Sequence, residues 1–118
     1  MFETLIQKLQ EDKFLTLETT PQHEPSMHNI IERIKKFKLQ DRVDGFSCTD
    51  NPLAKLKYNA LFASLKLQME FKKPVIATMS MRDRNKIALQ SDLMGANDFD
   101  VRAILALTGD PAKMSDQP

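Results

Sequence analysis

One cysteine, three glycines, two histidines and no excess of either charge limit what this chain can be. A lone cysteine forms no internal disulfide and anchors no thiolate metal site, so Cys48 reads as a small reduced residue at a strand end, and a cytoplasmic setting is expected. His23 and His28 have no carboxylate or thiol at ligand spacing and read as exposed loop residues. Seventeen basic against sixteen acidic residues leave a net charge of +1. With the lysines scattered along helical segments, there is no basic stripe for a nucleic acid. No stretch approaches the roughly 18 apolar residues of a membrane span, and Met1–Leu9 lacks a signal-peptide layout, so a soluble protein without a membrane partner is expected. Glycine is too sparse to give a phosphate-cradling loop after any predicted strand, which argues against a flavodoxin-like binding domain.

What is present suits one small domain. Its 118 residues can bury a modest core, and no repeat, linker or low-complexity segment divides them. Phe2, Leu5, Ile6 and Leu9 recur at helical spacing and predict a short N-terminal amphipathic helix. Phe14–Glu18 reads as a first strand, with Phe14, Thr16 and Glu18 on one face and Leu15 and Leu17 on the other. After the polar loop Thr19–Pro25, residues Met27, Ile30, Ile31, Ile34 and Phe37 mark one side of a helix capped near Ser26. Val43–Ser47 is the second strand. Ala54, Tyr58, Leu61, Phe62, Leu65 and Met69 then form a helical stripe whose Met and aromatic members are expected in the core. Val75–Ser80 is the third strand.

The stretch Ser80–Pro111 joins a strand, a helix and another strand. Asp83 stands where a helix N-cap is expected, and Gly95 or Asn97 supplies a left-handed residue to end that helix. Arg82-Asp83-Arg84-Asn85 invites a phosphate site at the helix start, but Asp83 offsets the positive charge, and a charged cap with solvated ion pairs is the better reading. Val101–Leu107 is nearly continuous in apolar character, the pattern of a parallel strand covered on both faces, with a short buried helix as the alternative by pattern alone. Thr108-Gly109-Asp110-Pro111 follows. Taken alone it is an ordinary turn. If the strands are parallel, Glu18, Thr49, Thr78–Ser80 and Asp110 gather at their carboxyl ends, where α/β folds bind ligands.

The residues Met81-Arg82-Asp83-Arg84-Asn85, Leu89–Ala96 and Ile104–Pro111 resemble the run CRDRN…LQSDLLGA…VLALTGDPP of the methylenetetrahydrofolate reductases, including members fused to a homocysteine methyltransferase domain. The resemblance implies a flavoprotein oxidoreductase of one-carbon metabolism and methionine biosynthesis, with FAD as cofactor, NAD(P)H as the expected electron donor and a folate substrate. Leu17–Pro21 looks like the segment carrying the family's strand-end glutamate. Glu18 is then the catalytic general acid that opens the five-membered ring, a task for which it should be partly desolvated. Asp110 resembles the aspartate near both flavin and folate, and Thr108, Gly109 and Thr49 resemble flavin-contacting positions. Thr78 stands where many members carry a flavin-contacting histidine, Met81 where a cysteine is frequent, and Gln22 where a second proline is frequent.

The alternation of strands and helices fits either a small doubly wound sheet or the first half of an eight-stranded barrel. A whole barrel takes about 250 residues. By resemblance the chain is the N-terminal half of a (β/α)8 TIM barrel, four parallel strands alternating with helices after a short N-terminal helix. It is expected to be truncated after the fourth strand, with Ala112–Pro118 resembling the interior of the next loop. The expected partner is then the remainder of the barrel or a second copy in a homo-oligomer. A non-catalytic α/β module that self-associates or binds a partner through open strand edges is the alternative.

Overall fold

A computed structural model describes residues 1–115. In chain order the main elements are α1 (Phe2–Glu11), β1 (Thr16–Thr19), α2 (His28–Lys36), β2 (Gly45–Cys48), α3 (Ala60–Phe71), β3 (Val75–Ser80), α4 (Lys86–Asp98) and β4 (Ala103–Leu107). Short 3-10 turns occupy Leu39–Arg42, Pro52–Ala54 and Ala112–Met114. The four strands form one sheet in the order β1-β2-β3-β4, and every neighbouring pair is parallel.

This arrangement decides between the two architectures open to the sequence. A doubly wound sheet reverses its strand order and carries helices on both faces. Here the order never reverses, and the core lies on one side of the sheet. Phe46, Cys48, Val75 and Ala77 pack against Met27, Ile31 and Ile34 from the α2 segment and against Ala60, Ala63 and Leu67 of α3. The period of two sends the alternate residues, among them Thr16, Glu18, Ser47, Ile76, Thr78 and Ser80, to the opposite face. The fold is therefore α/β and has the form of half a TIM barrel, with helices outside and a bare inner face.

Local chemistry explains the element boundaries. Asn85, rather than Asp83, caps α4: its side-chain oxygen accepts from Ala88 N at 2.8 Å. Asp83 instead turns toward Arg82, whose Nε lies 2.9 Å from its carboxylate. Neither Gly95 nor Asn97 ends the helix, since both lie inside it. The left-handed residue is Asp100, with φ of 62°. Asn59 caps α3 by accepting from Phe62 N at 2.9 Å, and Ser26 Oγ accepts from His28 N at 3.0 Å at the start of α2. At Gly45 a Cβ would lie 2.6 Å from Phe14 Cζ and against the Pro74 carbonyl, so β2 begins where only glycine fits. Asp44 Oδ2 accepts from Leu15 N at 2.8 Å, extending the β1–β2 connection by one side-chain bond. That bond leads the interactions that hold the Asp44 carboxyl below the usual range.

Several helical residues face differently from expectation. On α1 only Leu5 is buried, while Ile6 and Leu9 are exposed. On α3 the buried stripe is Ala60, Leu61, Ala63, Ser64, Leu67 and Gln68, and Phe62 and Met69 lie outside it at 59% and 61% exposure. The stripe read from the sequence ran partly through Ala54 and Tyr58, which precede α3, and this rotated the inferred face toward solvent. Phe37 is likewise exposed beyond the end of α2. β4 is not covered on both faces: it is the sheet's outer strand, and Leu105 and Leu107 are 52% and 46% exposed.

Candidate active site

Parallel strands bring their carboxyl ends to one rim, and there a cavity of about 330 Å³ opens. Small-molecule sites span about 300–1,000 Å³, so the space suits part of a drug-sized ligand. Glu18, Thr49, Thr78, Thr108, Gly109 and Asp110 all line it. These are the residues singled out in the sequence, now on four different strands or the loops after them. Leu105, Leu107, Pro52 and Asp50 also line it and escaped sequence reasoning. The alternation Ala103, Leu105, Leu107 was the available signal for the two leucines. It was hidden because Ile104 and Ala106 between them are apolar too.

Glu18 is exposed, against the expectation of partial desolvation. It lies on the sheet's other outer strand, on the face opposite the packed core. Thr78 is buried at the base of the cavity. The Thr49 hydroxyl is buried with no hydrogen-bond partner among the described residues. A buried hydroxyl without a partner carries a desolvation cost, and in a cavity wall it is the group a ligand would satisfy. Asp110 is half-buried, and its Oδ2 accepts from Leu53 N at 2.6 Å, so the carboxylate holds the turn after β2. Its backbone oxygen accepts from Arg82 Nη1 at 3.1 Å.

The charged joint after β3 divides into two different pairs. Arg82 and Asp83 form the expected cap-side pair, with Asp83 61% exposed. Hydrogen bonding from Arg82 lowers the Asp83 pKa. Arg84 departs from the solvated reading, because it pairs with Asp50 at 2.5 Å where the two side chains are 12% and 2% exposed. Burial opposes the guanidinium charge, but the hydrogen bond and attraction of Asp50, aided by Asp92, outweigh it and the Arg84 pKa rises. Cys48, at the end of β2, is fully buried, and its Sγ lies 3.2 Å from Thr19 Oγ1. Burial pushes its thiol pKa up, so it is a packing residue and not a nucleophile. His23 and His28 are exposed, and no cluster suited to a metal ion occurs among the described residues.

Gly109 shapes the rim between β4 and Asp110. Its φ is +94°, and a Cβ there would press on Ser80 Oγ and lie 3.1 Å from Arg82 Cβ. Gly109→Ala is expected to cost about 1–3 kcal/mol, the usual range for a side chain forced into such a conformation. Urea unfolding checks this as a lower midpoint at unchanged slope.

The chain matches, over residues 2–118, the family model described as methylenetetrahydrofolate reductase. It belongs to that family. Comparison with curated proteins and with solved structures finds no match. Membership accounts for the barrel-like order of elements and makes the chemistry reductive and folate-related in general terms. The rim of this reductase domain also fits a flavin in its donor set. The unpartnered Thr49 hydroxyl and the Thr78 hydroxyl are polar partners for a ring edge, and exposed Leu105 and Leu107 offer an apolar surface for a ring face. No helix among the described residues is long and apolar enough to cross a membrane.

Proposed function

We propose that this domain serves a cytoplasmic, flavin-dependent enzyme that reduces 5,10-methylenetetrahydrofolate to 5-methyltetrahydrofolate, with FAD as cofactor and NAD(P)H as electron donor. The observation that carries the reading is the convergence of Glu18, Thr49, Thr78, Thr108, Gly109 and Asp110 on one cavity in a chain of this family. When bound, the flavin supplies the hydride that reaches the methylene carbon. Glu18 gives a proton to the ring nitrogen that must leave. The bond from that nitrogen to the methylene carbon then breaks, and the lone pair of the other nitrogen turns the carbon into an iminium electrophile. Asp110 places a carboxylate beside that cation and orients the pterin by hydrogen bonding. Thr49 and Thr78 would hold the flavin through their hydroxyls, and Thr108 and Gly109 through their backbone.

The exposure of Glu18 agrees with this reading if the flavin, the folate and further barrel strands cover the inner face. We accordingly take residues 1–118 as part of a TIM-barrel reductase domain, a reading supported by the outer edges of β1 and β4, which pair with no strand among the described residues. Those edges and exposed Leu105 and Leu107 also favour a second reading, a module that binds another polypeptide through the open sheet.

A flavin titration separates the two. Quenching of flavin fluorescence on binding, followed by anaerobic bleaching of the bound flavin with NAD(P)H, is the expected result for the reductase. A purified protein that neither carries nor takes up flavin, yet scatters light as an oligomer, would sink the reductase reading in favour of the module.

A further inference from the structure

The β2–β3 ladder stops short of the rim. Its register runs Phe46↔Val75, Ser47↔Ile76, Cys48↔Ala77, whereas β3 continues to Ser80 paired with β4 alone. Among the described residues no register pair joins these strands beyond Cys48↔Ala77, and the gap opens next to Thr49 and Thr78, which both line the cavity. Two side chains take over there. Asp50 Oδ2 accepts from Ser80 N at 2.7 Å, and Arg84 Nη1 donates to Ser80 O at 2.8 Å. The same Arg84 nitrogen and Asp50 oxygen meet at 2.5 Å, and Arg84 Nε reaches Asp92 at 3.3 Å. On the side facing β2, both backbone groups of Ser80 are thus met by an ion pair between buried Asp50 and part-buried Arg84 instead of by a strand.

A buried ion pair is a poor device for stability alone. Removing two charges from water costs several kcal/mol per ion, and apolar replacements are often as stable or more so. Its geometric effect is specific: the planar Arg84 fork and the Asp50 carboxylate fix the distance between the ends of β2 and β3. The pair is also neutral overall, so it adds no net charge beside Glu18 and Asp110.

We propose that Asp50 and Arg84 are positioning residues, which set the separation of Thr49 and Thr78 at the cavity by replacing the missing ladder between β2 and β3. The proposal rests on the flavin reading for the identity of the ligand only. Hydrogen exchange on the purified protein tests the geometry without any ligand. In Arg84→Gln, exchange at Ser80 N–H is expected to quicken by about tenfold or more while Phe46 N–H, bonded to Pro74 O in the core, keeps its rate. Where that variant does not fold, Asp50→Asn carries the same measurement, since a neutral acceptor holds the Ser80 N–H more weakly.

A flavin titration of the same variant supplies the functional arm. Weaker binding with Phe46 exchange unchanged supports positioning. Equal acceleration at Ser80 and Phe46 would mean a general loss of stability and overturn the proposal, as would unchanged exchange at both. If the unsubstituted protein takes no flavin, the functional reading falls, and the exchange ratio still decides the role of the pair.

Discussion

Glu18→Gln should reduce methylenetetrahydrofolate turnover by about 10²–10⁴-fold, the usual contribution of a positioned general acid. Glutamine keeps the shape and one hydrogen-bonding oxygen but carries no acidic proton, so ring opening loses its proton source. The reading also requires that flavin uptake survive, because the cavity's flavin partners are Thr49 just after β2, Thr78 on β3 and the loop after β4, none of them on β1 itself. Steady-state assay and flavin titration of the polypeptide that carries this domain provide the check. Retention of more than a tenth of wild-type turnover would exclude Glu18 as the acid. Loss of both activity and flavin would point to a disturbed fold.

Much of this architecture was legible in the sequence because its signals are local. Strand β3 was read at its true limits, and β1, β2 and β4 within two residues. The rim assignments followed from strand ends and from resemblance, and the structure gathers them in one cavity. What stayed hidden depends on contacts across the sheet. Asp50 and Arg84 are 34 positions apart, and nothing in the spacing of either says that one oxygen of Asp50 will meet both Arg84 and the Ser80 backbone. In the sequence Arg84 looks like any charged residue before a helix.

The bare inner face was also beyond the sequence, since apolar runs do not reveal what will cover them. Val101–Leu107 has the composition of a strand buried on both sides, yet it ends the sheet and exposes Leu105 and Leu107. Asp110 is a similar case. Its carboxylate holds Leu53 N–H in a turn where Asn51, Leu53 and Ala54 all adopt positive φ. Side chains rarely adopt that conformation without outside support. Asp110 therefore has a structural task at the rim in addition to the chemical one proposed for it.

Phe46→Ala is the substitution expected to cost the fold most, by about 3–5 kcal/mol. Phe46 is fully buried on β2, and its ring lies 5.1 Å from that of Phe71 at the end of α3. Truncation removes the largest fully buried side chain and the ring pair together, leaving a cavity between sheet and helix. Domain stabilities are about 5–15 kcal/mol, so the loss takes a large share of the whole. Phe62→Ala is the matched control. It carries the same side chain on α3, the helix that packs against β2, but it is 59% exposed, and a change within about 0.5 kcal/mol is expected. Urea midpoints at unchanged slope measure both. Comparable losses at the two positions would mean that something covers the outer face of α3, whereas the expected contrast places the core between α3 and the sheet and leaves Phe62 outside it.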